Sequence, residues 1–246
     1  MYRWFIYYDI DKTIEADVIE PLADVFIKNN FEIKPVLQTL LSSEHFFHAS
    51  NIGCLIKNPT DHLIGACRQF GITFSPDDST KQRYALNMIA FHLVRMGMEP
   101  GDPPNVAGWP ATYQFPSFNQ MWINSTTLTI RNATTDALLS HLGLANSDIS
   151  VRLNLLAFTA QLPDVENINR LIEESAKLLC PMPFDKAETN YLKTILLSGQ
   201  TSDHYWADSW KEYLAKPTDE MSASIVFTRL SAYYTYILQR SEYQLC

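Results

Sequence analysis

The chain is poor in glycine, with eight in 246 residues against the usual frequency of about 7%. Neither a P-loop nor a GxGxxG fingerprint occurs, so it carries no glycine-rich cradle for phosphates. Basic charge is also short. Lys and Arg number 19 against 27 Asp and Glu, a net charge of -8, which argues against nucleic acid or an anionic membrane as a partner. The four cysteines, Cys54, Cys67, Cys180 and Cys246, form no CxxC pair, which excludes a zinc ribbon and favours reduced, mostly buried thiols. No apolar run reaches the roughly 18 residues of a membrane span. The start lacks a basic n-region and a cleavage site, so the chain as expressed reads as cytoplasmic. What is present is a core: 46% of residues are hydrophobic and 12% aromatic.

Helical signals dominate. Pro21 can sit in the first turn of a helix carrying Leu22, Val25 and Phe26. Pro35 opens another through Leu41. Asn58 before Pro59 caps a third, stopped by Gly71. A long helix is expected over about 79–96. Further helices are expected over 120–142, from a cap at Asp148 or Ser150 to Ala160, over 165–179 after Asp164, and over 186–197 after Asp185. Two more follow, over 205–214 and from Thr218 or Asp219 through Ile237. No stretch alternates as a strand should. Between Gly97 and Pro116, five of the 13 prolines and three of the eight glycines cluster around Val106, Trp109, Tyr113 and Phe115. That composition predicts an ordered loop packed on the domain. The fold expected is all-α: a bundle of about ten helices with one long Pro/Gly/Trp loop, in two poorly separated halves, 1–145 and 146–246. A short echo between Leu40-Leu-Ser-Ser-Glu-His-Phe46 and Ile237-Leu-Gln-Arg-Ser-Glu-Tyr243 is too brief for a repeat.

Several segments carry a resemblance. They are Tyr2-Arg-Trp-Phe-Ile-Tyr-Tyr-Asp9, Leu41-Ser-Ser-Glu-His-Phe-Phe47, Ile56-Lys-Asn-Pro-Thr60, Pro103-Pro-Asn-Val-Ala-Gly-Trp-Pro110 and Trp122-Ile-Asn-Ser-Thr-Thr-Leu128. In this order, with the closing Ser241-Glu-Tyr-Gln-Leu245, they resemble the C-terminal half of the bacterial domain-of-unknown-function family 1800. The resemblance is dense to about Arg131 and sparse beyond it. It implies a longer parent protein, whose missing N-terminal region would cover the five aromatics of residues 1–8, and exported full-length relatives. It implies no activity.

Chemistry-bearing groups are few. Glu44-His45-Phe46-Phe47-His48 places two histidines at i, i+3, not the i, i+4 of HExxH, and lacks a third ligand, so His45 and His48 are weak metal candidates. Asp61 and His62 are adjacent and do not face each other on a helix; Asp61 fits the first-turn dipole. The Trp109 loop has two readings. Trp109, Trp122 and Tyr113 could form an aromatic platform for a glycan or peptide, with Asp102, Asn105 and Asn124 as polar contacts and Arg131 for an anionic group. Trp109 could instead plug the loop into the core. Asn124-Ser-Thr126 and Asn132-Ala-Thr134 are glycosylation sequons that matter only in a eukaryotic secretory pathway.

With no nucleophile motif and no cofactor motif, the leading expectation is a non-catalytic helical module that binds a protein partner or the missing part of its own polypeptide. A glycan- or peptide-binding domain is the first alternative. A hydrolase-like enzyme completed by a missing region is the second.

Overall fold

The computed structural model describes residues 1–72, 74, 77–112, 118–146 and 149–246. Among them are twelve α-helical segments and one two-strand hairpin. The predicted all-α class therefore holds. No helix among the described residues is long and apolar enough to cross a membrane.

The N-terminal region builds a small core of its own. A single turn, α1 (Tyr2–Phe5), leads to Asp11, whose carboxylate accepts the Ile14 N–H at 2.7 Å and caps α2 (Lys12–Ile14). This helix runs on through a π-helical turn, Glu15–Ile19, into α3 (Glu20–Lys28). The helix predicted to open at Pro21 thus begins nine residues earlier. The wide turn just before the proline accommodates its missing N–H. At the end of α3, Asn30 and Phe31 both take positive φ, 53° and 63°. The Phe31 N–H donates to the Phe26 carbonyl at 2.8 Å, and α4 (Ile33–Leu41) folds back on α3. Tyr2, Ile6 and Leu40 are buried between these pieces, with Ile14, Val18, Leu22 and Phe46 packed around them.

The remainder shares one larger core. Asn58 caps α5 (Pro59–Gln69) and Asp78 caps α6 (Ser79–Arg95) as helix-start chemistry requires. The helix expected over 120–142 is two pieces. A 3-10 turn, Phe118–Trp122, is followed by α7 (Ser125–Leu139), which starts at a capping box of Asn124 and Thr127. The stretch 144–151 was expected to carry a helix cap. Instead β1 (Leu144–Ala145) pairs antiparallel with β2 (Ser150–Val151), Leu144 opposite Val151 and Ala145 opposite Ser150. Two-residue strands show no alternation, so sequence periodicity misses them. Asp148 lies outside the described residues. Asn154 caps α8 (Leu155–Ala160), and Asn167, not Asp164, caps α9 (Ile168–Leu179). Asp164 takes φ 50° in the preceding turn.

After α10 (Lys186–Leu197) and α11 (His204–Ala215) comes α12 (Glu220–Gln239). It packs against α7, α8, α10 and α11. Its Val226, Leu230, Tyr233, Tyr234, Ile237 and Leu238 are fully buried. Each such aliphatic side chain is worth about 1.5–3 kcal/mol relative to exposure. The core joins residues on both sides of position 145, from Leu63 to Tyr243. All four cysteines are free, but only Cys67 is buried rather than most of them, with Cys54 and Cys180 half-buried and Cys246 exposed; burial pushes the thiols of Cys67 and Cys180 up to about 12 and about 11.

Gly143 makes the hairpin. Its φ is +70°, and a Cβ there would stand 2.5 Å from the Val151 carbonyl oxygen. Gly143→Ala is expected to cost about 2–4 kcal/mol, from left-handed strain plus a clash with backbone that cannot rotate away. Urea unfolding of the variant measures this.

Candidate functional site

The Trp109 loop is fixed by its own turns. The Asn105 side chain accepts from the Ala107 N–H at 2.9 Å, and the Asn105 carbonyl accepts from the Gly108 N–H at 3.0 Å. The Trp109 carbonyl accepts from both the hydroxyl and the N–H of Thr112, at 2.7 and 2.9 Å. Asp102 is exposed and Trp109 half-buried, with its ring 6.5 Å from that of buried Trp122. Val106 points fully into solvent. Tyr113 lies outside the described residues. Asn124, expected as a polar contact to a ligand, spends its side-chain oxygen on the N–H groups of Thr126 and Thr127, both at 2.9 Å.

From that cap, α7 carries Arg131 inward seven residues, or two turns, later. Arg131 is fully buried. Its guanidinium donates to the Lys57 carbonyl at 2.8 Å, the Gln244 side-chain oxygen at 3.3 Å and the Trp122 carbonyl at 3.5 Å. Burial lowers its pKa to about 10, so it stays charged at neutral pH. All three acceptors are carbonyl oxygens; the guanidinium fastens backbone segments rather than facing an open site.

Two of those segments, at Lys57 and Gln244, are also joined to each other. Lys57 N–H donates to the Gln244 carbonyl at 2.8 Å, and Leu55 and Cys246 exchange two backbone hydrogen bonds, at 3.3 and 2.8 Å. Lys57 Nζ donates to the Tyr243 carbonyl at 2.8 Å and lies 4.2 Å over its ring. Burial lowers the Lys57 pKa. The Asn119 side chain accepts from the Ile56 N–H at 3.1 Å. Residues 241–246 are thereby stitched beside residues 55–57 and locked from below by Arg131.

His62 completes this polar node. It is fully buried, edge-on to Tyr243 at 5.6 Å, and neither ring nitrogen has a hydrogen-bond partner among the described residues. Burial, then Arg131 and then Lys57, drives its pKa down to about 3. Its imidazole is therefore uncharged at neutral pH, sealed from water, with the positive charges of Arg131 and Lys57 acting against its protonation. Asp61 turns the other way: its backbone N–H donates to the Asn58 side-chain oxygen at 2.9 Å, and its carboxylate accepts from the Asn58 side-chain amide at 2.6 Å. The adjacent pair therefore makes no dyad, as helix geometry dictates.

The two histidine candidates are held in separate hydrogen bonds. His45 Nε2 is 3.1 Å from the Tyr2 hydroxyl with the rings stacked, and His48 Nδ1 is 2.7 Å from the Ser50 hydroxyl. No group of three or more His, Cys, Asp or Glu among the described residues could hold a metal.

Of the residues singled out in the sequence, the structure brings together Trp109, Trp122 and Arg131. It leaves Asp102 and Asn105 in the loop. Lys57, Asn119, Tyr243 and Gln244 carry the node without having been singled out as site residues, and His62 joins them although the sequence sets it only against Asp61. Their only sequence signal was membership, for Lys57, Tyr243 and Gln244, in the segments 56–60 and 241–245 that carried the resemblance.

Helices packed around a buried α12, with residues 241–246 tied to residues 55–57 and to a buried arginine, define an all-α protein with a polar node joining distant segments. The chain belongs to the family "Protein of unknown function (DUF1800)", whose model matches residues 1–245. No curated protein and no solved structure matches it.

Proposed function

We propose that this chain is a non-catalytic helical module that docks a protein partner through the hairpin of α3 and α4. The observation that carries this is Phe31. A bulky side chain at φ 63° is strained, by about 1–2 kcal/mol, and here it is also 65% exposed. Neither burial nor backbone geometry accounts for a phenylalanine at this place; contact with another surface does. Ile27 and Ile33, 59% and 55% exposed, flank it on the same turn, and the Phe26 ring supports it edge-on at 5.3 Å. Exposed apolar clusters of this kind mark interaction surfaces. Residues 1–53 hold eight acidic side chains against four basic ones, so the partner surface that fits is apolar with a basic rim. A glycan platform at Trp109 has less support, because Trp122 is buried and Asn124 and Arg131 are committed to the fold.

The test is Phe31→Gly. Glycine relieves the strain, so stability is expected to rise by about 1 kcal/mol while the apolar patch is lost. Binding of an apolar fluorescent dye to the folded chain reads the second effect. Wild type should bind dye, and the variant should bind less. A folded wild-type chain that binds no dye, or a variant that binds it undiminished, contradicts the proposal.

A further inference from the structure

A second feature lies on the other side of the N-terminal core. A cavity of about 570 Å³ opens between the start of the chain and the 45–54 turn, lined by Tyr2, Tyr7, Asp9, Asp11, His45 and Cys54 among others. Its size is within the range of small-molecule sites, about 300–1,000 Å³. Two phenol rings and an imidazole supply aromatic surface, two carboxylates supply negative charge, and no lysine or arginine is among its described lining residues. An anion would meet repulsion here. A bare metal ion would lack ligands, since no described group of three or more His, Cys, Asp or Glu could hold one. A positive charge spread over a small organic group meets both the carboxylates and the negative faces of the aromatic rings.

The walls are built from ordered parts. Tyr2 is buried, and its hydroxyl is held by His45 at 3.1 Å. Asp11 is fixed as the cap of α2 through one carboxylate oxygen. Burial first and Asp11 next raise the Tyr2 pKa. Tyr7 is raised first by its hydrogen bond to Tyr8, with Asp9 adding to it.

We infer that this pocket binds a small organic ammonium ion, with Tyr2 and Tyr7 as its aromatic wall and Asp9 and Asp11 as its counter-charge. The inference is independent of the docking role of the α3–α4 hairpin, from which it differs in residues and in ligand.

The experiment is an NMR titration of the full chain with choline, and in parallel with 3,3-dimethylbutan-1-ol, its uncharged isostere. Choline should shift the Tyr2, Tyr7 and His45 resonances saturably and bind at least about tenfold tighter than the alcohol, the effect of roughly one close charge pair. Asp9→Asn with Asp11→Asn keeps the α2 cap, because asparagine caps as well as aspartate, and should weaken choline at least about tenfold without changing the unfolding temperature. Tyr7→Leu, which leaves both carboxylates, should weaken it several-fold. Equal affinity for choline and the alcohol would overturn the inference, as would undiminished choline binding in either variant, or the absence of any saturable shift in the folded wild type.

Discussion

Replacing Arg131 with leucine is expected to cost about 3–5 kcal/mol and to free the C-terminal segment. The guanidinium is the shared donor of three carbonyl oxygens, those of Lys57, Trp122 and the Gln244 side chain. Leucine fills much of the volume but leaves the Lys57 carbonyl and the Gln244 side-chain oxygen without the guanidinium donor, while the Trp122 carbonyl keeps the Thr127 hydroxyl at 3.1 Å. A hydrogen bond to a charged group is worth about 1.5–3 kcal/mol, and the orphaned acceptors add their desolvation cost. Arg131→Lys should rescue only part of this, since one ammonium on a flexible stem cannot span acceptors on three separate segments. Urea unfolding gives the magnitude. Hydrogen exchange gives the location: the amides of Leu55, Lys57 and Cys246, which bond across to the tail, should lose protection before those of α12. A loss below about 1 kcal/mol, with these amides still protected, would mean that the tail is held by something else.

The second large effect depends on pH. His62 has its pKa lowered from 6.5 to about 3 in the folded chain. A proton therefore binds the unfolded state more readily, and the native state loses stability as pH falls from about 6.5 towards 3. At pH 4.5 the loss from this one group is about 3 kcal/mol, two pH units below the unfolded value. Above pH 7 it is negligible. His62→Leu removes this titration and also two unpartnered ring nitrogens. Relative to wild type, the leucine variant should gain about 3 kcal/mol between pH 7.5 and pH 4.5, while exposed carboxylates titrate alike in both. Denaturant unfolding at the two pH values measures it. Parallel stability curves for the two proteins would show that His62 is not sealed.

Both effects arise at a node that sequence reading reached only in part. Helix starts were legible wherever a capping side chain stands directly before an apolar stripe. Asn58 and Asp185 cap as expected, and the helix expected over 79–96 runs Ser79–Arg95. Local rules failed where a competing cap lay a few residues on, as with Asn154 beyond Ser150 and Asn167 beyond Asp164. They failed also for the hairpin at 144–151, too short to alternate.

Arg131 shows a deeper limit. It lies on α7, and one of the two sequence readings of the Trp109 loop offered it to an anionic ligand. Two of its acceptors are 74 and 113 residues away along the chain, and no local pattern places them beside it. For the same reason His62 was read only against its neighbour Asp61. What surrounds it, Tyr243 and the two cations, arrives from elsewhere in the fold. Phe31 was missed for another reason. Its side chain is ordinary and its backbone is not, and positive φ at a non-glycine residue leaves no mark in composition.

The docking role rests on that phenylalanine, and its neighbourhood can be tested directly. A photo-crosslinking p-benzoylphenylalanine at position 31 keeps an aromatic side chain there; the same group at exposed Lys211, on α11, serves as the control. Irradiation in cells expressing the full chain should give a discrete protein adduct from position 31 and none from position 211. No adduct at 31, or the same smear of adducts at both positions, would contradict a docking surface at the tip of the α3–α4 hairpin.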